Sequence, residues 1–416
     1  MLKIISLFWI LTCIYGNEFL KLNIFKGINP LYMLMGICIL YMFFVFNSKR
    51  YVNDDKKWIK YKNIFSLFIF YTFLIIILSF FNYIKLFNIQ GLEFDRSFII
   101  RQAYFIFTVP IGIVIFDYVN KSDILEKLKL KFLIGIFLIL CISKFMNIFD
   151  VVPFRVLILI ISSFVYFNKN KKIGIILIII SILFRFDGST SIICYMILII
   201  SLFDWKKTSV FFKKYLGVII YFGVIFLIFG TVLFYDNIVE ILYKDPNAIW
   251  RWQYWINELR ILIETKFLGV GFGTAYASNS IFTEIYNPNA FAVPDDGFGY
   301  NISQVLFLTS QHNSILNMFY RLGVIGGGLF IYINYFPIKW YLGLMLKLDK
   351  EKQKMLKWSF VNFIISIVII SLNPGIESPR FFISYLIMFS IFISLLYKYS
   401  NDYNNGINRG GAEYEK

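Results

Sequence analysis

Charge is scarce in this 416-residue chain, and so are the side chains that hold metals. Only 16% of the residues are charged, against 59% hydrophobic and 20% aromatic, and the chain has four cysteines and one histidine. So few charges exclude a soluble domain, because apolar runs recur along the whole length instead of gathering in one core; the mean hydropathy is +0.70. Cys13, Cys38, Cys141 and Cys194 lie in or beside apolar runs without paired spacing. That implies neither a zinc site nor a disulfide framework, and the four read as small buried hydrophobes. There is no convincing internal repeat, which weighs against a transporter built from repeated halves. The longest polar stretch holds no carboxylate-rich metal motif, so neither a metal nor a cofactor is expected. With one histidine, imidazole acid-base chemistry has a single candidate, His312.

What is present is a polytopic pattern. A spanning helix needs about 20 mostly apolar residues, and about twelve stretches qualify or come close. They centre on residues 2–16, 30–46, 64–81, 98–118, 132–148, 151–167, 172–185, 189–203, 215–234, 322–340, 358–372 and 381–397. The first lacks a small-residue cleavage site and is expected to be retained. The formal charge of +16 comes mostly from lysine clusters such as "NKSDILEKLKLK", "DWKKTSVFFKK" and "KLDKEKQKMLK". These occupy alternate loops, which the positive-inside rule turns toward the cytoplasm together with both termini. The excess is topological, and no nucleic-acid partner is implied. The expected organisation is nine transmembrane helices over 1–234, a large extracytoplasmic loop over 235–313, three further helices over 314–397, and a polar, disordered cytoplasmic tail over 398–416. A loop of that length suggests function.

The arginines run against this bias. Eight of the ten (Arg96, Arg101, Arg155, Arg185, Arg251, Arg260, Arg321 and Arg380) fall on or near the expected outer face. Arginine offers a planar fork that binds phosphate oxygens bidentately. Individually these residues could equally cap helices or pair with Asp95, Asp187 or Glu377. As a set they suggest an outer-leaflet phosphate site. In the long loop, Trp252, Trp255, Ile256, Leu259 and Ile263 recur at helical spacing, which predicts a helix beginning at Pro246 and Asn247 and stopped by Gly269 and Gly271. Its apolar face should lie on the membrane surface or against the bundle. Arg251 and Arg260 fall on opposite flanks of that stripe.

Three elements then combine: Arg251 followed four residues later by Trp255, "FLGVGFG" at 267–273, and "HNSILNMFYRLGVIGG" at 312–327. Together they resemble the O-antigen polymerase and O-antigen ligase superfamily, and the many-helix layout with one large late loop extends the likeness. The resemblance implies an all-α polytopic integral membrane protein with a GT-C-like membrane glycosyltransferase architecture. It also implies transfer of a glycan from an undecaprenyl-diphosphate donor at the outer face of the cytoplasmic membrane. The acceptor would be a second lipid-linked repeat unit for a polymerase, or the lipid A core for a ligase. The expected partners are that lipid-linked oligosaccharide and the bilayer, with a chain-length regulator as a further candidate.

Chemically, departure of a sugar diphosphate requires charge neutralisation more than protonation, and arginines supply it without a metal. The attacking hydroxyl requires a base, and neutral imidazole suits that task. His312 and Arg251 are therefore the expected catalytic residues, with Arg260, Arg185, Arg101, Arg321, Arg380 and Asn313 as expected substrate contacts. Two bland alternatives stay open: His312 as an interfacial helix-end imidazole, and Asn313 with Ser314 as a helix cap. Gly323, Gly326, Gly327 and Gly328 are expected to serve packing or a kink.

Overall fold

The computed structural model describes residues 4–5, 33–40, 56–87, 89, 91–145, 152–184, 189–202, 214–215, 218, 221, 246–276, 307, 313–372 and 379–413. The runs at 2–16, 30–46 and 215–234 fall largely outside these residues. Among the described residues the structure is helical, relieved by 3-10 turns and one isolated antiparallel bridge, Phe94 to Thr274. Among the described residues, five helical stretches are long and apolar enough to cross a membrane: Lys56–Phe80, Tyr104–Lys121, Ser314–Lys347, Lys350–Leu372 and Phe382–Asn404. The protein is a multi-pass membrane protein. Leu130–Phe145, Val152–Asn168, Lys171–Phe184 and Ser189–Leu202 form shorter apolar helices where the sequence predicts spans.

Several boundaries differ from expectation. The run at 98–118 is interrupted: short turns Ile99–Gln102 and Tyr104–Phe107 precede the helix Val109–Lys121. Thr108 turns its hydroxyl to Phe105 O at 2.7 Å, a local bond that competes with the helix ladder, and Pro110 brings no N–H. The last helix, Pro379–Glu413, runs on through the stretch expected to be a disordered tail. Lys352 bonds Asp402 at 2.8 Å and Lys347 sits over the Tyr403 ring, so its polar first turns have partners.

The chain divides into two compact units. The first comprises residues 1–63, 105–204 and 336–416. Helices Val109–Lys121, Val152–Asn168, Lys350–Leu372 and Pro379–Glu413 pack there through a largely apolar interior rich in aromatic rings. Phe363 stacks on Phe392 with centroids 4.9 Å apart, and Tyr341 on Phe360 at 4.0 Å. A few polar ties join its helices: Trp358 Nε1 donates to Ile160 O at 3.2 Å, and Asn362 Nδ2 to Ser163 Oγ at 3.1 Å. Such bonds suit a helix pair in an apolar medium, where the alternative is an unsatisfied group. The second unit comprises residues 64–104 and 205–335. It holds the C-terminal part of Lys56–Phe80, the loop helix Pro246–Glu264, the glycine-rich segment after it, and the start of Ser314–Leu344.

Candidate functional site

The two glycine-punctuated motifs recognised separately in the sequence lie side by side in the second unit. The loop helix starts at Pro246 as predicted and ends at Glu264. Its terminators are not glycines: Lys266 and Phe267 take left-handed φ of 52° and 64°, and Phe267 N donates back to Leu262 O at 2.8 Å, a Schellman-type closure. The chain then runs antiparallel to the start of Ser314–Leu344. Val270 N donates to Tyr320 O at 2.8 Å, Gly271 N to Arg321 O at 3.0 Å, and Val324 N to Phe267 O at 2.9 Å.

That pairing requires a broken helix. Gly323 sits at φ 67° and ψ −172° inside Ser314–Leu344, so two helices meet there. A Cβ at Gly323 would fall 2.5 Å from Phe267 O, and one at Gly269, itself at φ 78°, would run into Gly323 N. Both positions therefore combine a left-handed backbone with a close approach that only glycine permits. The kink anticipated for the glycine run is real and localised to Gly323. Leu322 O, released from the helix ladder, accepts from Tyr71 Oη at 3.1 Å.

Beyond these backbone pairs and the bridge from Phe94 to Thr274, side chains satisfy other backbone groups of residues 269–276. Phe272 N donates to Ser79 Oγ at 2.9 Å, and Tyr83 Oη donates to Gly269 O at 3.1 Å. Gln102 is a hub: its Oε1 accepts from Gly273 N at 2.7 Å, while its Nε2 donates to Thr274 O at 3.2 Å and Phe307 O at 3.0 Å. Phe98 stacks on Phe307 with centroids 4.7 Å apart. Arg321 completes the clasp from the other side. It is 1% exposed, and its Nη1 donates to Gly271 O at 3.1 Å and Thr274 O at 2.6 Å. Its guanidinium carbon lies 4.1 Å from the Tyr276 ring centroid, a cation–π contact strengthened by desolvation. Nε and Nη2, the side-on fork, have no hydrogen-bond partner among the described residues.

The loop helix buries Tyr254, Asn257, Glu258, Ile261 and Leu262. Of the two settings expected for the apolar stripe, the membrane surface or the bundle, the second is not seen: Ile256, Leu259 and Ile263 are exposed. Glu258, fully buried, was not anticipated, and neither were Gln102 and Ser79. Burial pushes the Tyr254 hydroxyl well above the ordinary tyrosine range; Glu258 reinforces the shift and Arg321 opposes it. Tyr254 is thus neutral at any physiological pH, and this carboxylate and guanidinium act on the same phenol.

The expected site residues separate as follows. Arg101, Arg251, Arg260 and Arg321 belong to the second unit and Arg380 to the first. Arg251 and Arg101 are half-buried, whereas Arg260 is exposed, with Nη2 3.2 Å from Asn257 Oδ1 and Nε 3.6 Å from Glu264. The loop helix is unbroken, so Arg251 and Arg260 stay on opposite flanks. Asn313 caps its helix: Leu316 N donates to Asn313 Oδ1 at 3.1 Å. His312 and Arg185 lie outside the described residues, as does the side chain of Arg380.

No curated protein matches the chain. The family model described as O-antigen ligase matches residues 173–331, which include the loop helix, the glycine-rich segment and the break at Gly323. Over these residues the chain is similar to the O-antigen ligase family.

Proposed function

We propose that the protein is a polysaccharide polymerase that joins undecaprenyl-diphosphate-linked repeat units at the outer face of the cytoplasmic membrane. The observation that carries this reading is the clasp between residues 267–271 and 320–324. It ties the helix bearing Arg251 to the helix that begins directly after His312, so two elements about sixty residues apart in sequence share one rigid frame. In the proposed reaction the bond between the donor sugar's anomeric carbon and the diphosphate oxygen breaks, and a glycosidic bond forms to the acceptor hydroxyl. His312 takes the hydroxyl proton. Arg251 receives the departing diphosphate, and its half-buried setting favours a strong charge-assisted bond. Arg101 is the second arginine suited to that role, being half-buried beside the Gln102 hub. Arg321 anchors the glycine-rich backbone that both helices share.

The description of the matching family favours a second reading, a ligase that transfers the glycan to a lipid A core. The acceptor separates the two. Purified protein given a lipid-linked repeat unit alone should build a ladder of products if it is a polymerase. A ligase should transfer only when a lipid A core acceptor is added, and transfer to neither would overturn both readings.

A further inference from the structure

We infer that the loop helix Pro246–Glu264 lies in the plane of the membrane interface, with its apolar stripe in the acyl chains of the leaflet on that side. The helix has 19 residues yet is not among those apolar enough to cross a bilayer. One face is packed on protein through Tyr254, Glu258 and Ile261, while Ile256, Leu259 and Ile263 are 41%, 47% and 62% exposed. A water-facing stripe of that kind is costly, whereas an amphipathic helix at the lipid boundary requires one.

The lipid bilayer is the fitting occupant because the stripe continues into the lipid-facing surface of crossing segments. At its C-terminal end it meets Phe267 and Leu268, 52% and 48% exposed. These lie against the break at Gly323, and just beyond it Val324 and Ile325 are 46% and 56% exposed on a crossing segment. The same end is pinned by Ser79 and Tyr83 to the terminus of the crossing helix Lys56–Phe80, where Phe81 is 78% exposed. A helix tethered where a span ends sits at the hydrocarbon edge. Arg260 and Lys266, both exposed beside the stripe, suit anionic headgroups. The placement also deepens the proposed function, on which this consequence rests: a donor anchored by an isoprenoid chain holds its diphosphate at headgroup depth, the depth at which this helix would carry Arg251.

The test uses the full chain with Cys13, Cys38, Cys141 and Cys194 replaced by serine, reconstituted in phosphatidylcholine and phosphatidylglycerol vesicles. Nitroxide labels go singly onto Ile256→Cys, Leu259→Cys, Ile263→Cys and Arg260→Cys, with Leu67→Cys on the crossing helix as the lipid reference; Leu67 is 52% exposed. The stripe labels should collide severalfold more with oxygen than with a water-soluble nickel chelate, as at Leu67, and the label at Arg260 should show the reverse. Stripe labels that favour the nickel chelate, or that neither collider reaches because a second copy or another protein surface covers them, would overturn the inference. Because the readout is depth and not turnover, an inactive protein with the expected collision pattern would retire the proposed reaction and leave the helix placement standing.

Discussion

The two units differ in how they use buried polar groups: hydroxyls bond back to their own helix in both, but long reaches to irregular backbone gather in the second. In the first, buried serines turn back on their own helix: Ser162, Ser359 and Ser366 donate to carbonyls three residues earlier. In the second, buried side chains reach across the sequence to an irregular backbone, as Ser79 does to Phe272, Gln102 to Gly273 and Thr274, and Arg321 to Gly271. A helix satisfies its own N–H and C=O groups, so its polar side chains are surplus to the ladder. Residues 269–276 form no helix, and many of their buried backbone groups take a partner from distant parts of the chain. Irregular backbone at membrane depth is tolerated only where it is buried in protein or lines a cavity. By this criterion the first unit is built as a helix bundle, and the proposed chemistry draws on the second.

The comparison breaks most visibly at the helix break. Gly323→Val forces a β-branched residue into a left-handed conformation against Phe267 O and should cost about 4 kcal/mol or more, seen as loss of folded protein on size exclusion. Gly328 has nothing within 4 Å of an added Cβ, so Gly328→Ala should be near neutral in the same assay. Next comes the hub. Gln102→Leu removes three hydrogen bonds and strands buried backbone groups, which should lower stability by about 2–4 kcal/mol in thermal unfolding of the detergent-purified protein. A smaller, kinetic effect is expected at Arg251→Lys, where loss of the bidentate fork should slow polymer formation by about 10-fold to 100-fold with membrane abundance unchanged. Arg260→Lys should stay near normal. The smallest effect sharpens the contrast: Ser162→Ala in the first unit should cost less than about 1 kcal/mol, because its acceptor already belongs to a helix ladder.

The sequence made the motifs legible but not their relation. "FLGVGFG" and the glycines after Tyr320 are visible as punctuation, yet the pairing of Gly271 with Arg321 joins residues fifty apart with no periodic signal between them. Gln102 and Ser79 were invisible for the same reason: their partners lie 171 and 193 residues away. Helical spacing correctly outlined the loop helix and the opposed flanks of Arg251 and Arg260. It also marked the apolar stripe, but periodicity cannot tell which medium the stripe faces. The buried face carries Asn257 and Glu258 because its neighbours are phenols and a guanidinium. The break at 98–108 was missed since hydropathy counts apolar residues and ignores Gln102, Thr108 and Pro110. Asn313, weighed as either cap or contact, makes the cap.

The central proposal is that His312 acts as the base on the acceptor hydroxyl and Arg251 as the clamp on the diphosphate. It is tested most directly by turnover of a lipid-linked repeat unit by purified wild-type and His312→Ala protein, with a chelator present, from about pH 5 to 8. The wild type should build a product ladder whose rate falls toward acidic pH, as expected for a base that must be unprotonated to act. The alanine variant should be folded and slower by about 100-fold to 10,000-fold. A ladder from the alanine variant at a rate near that of the wild type would contradict the account.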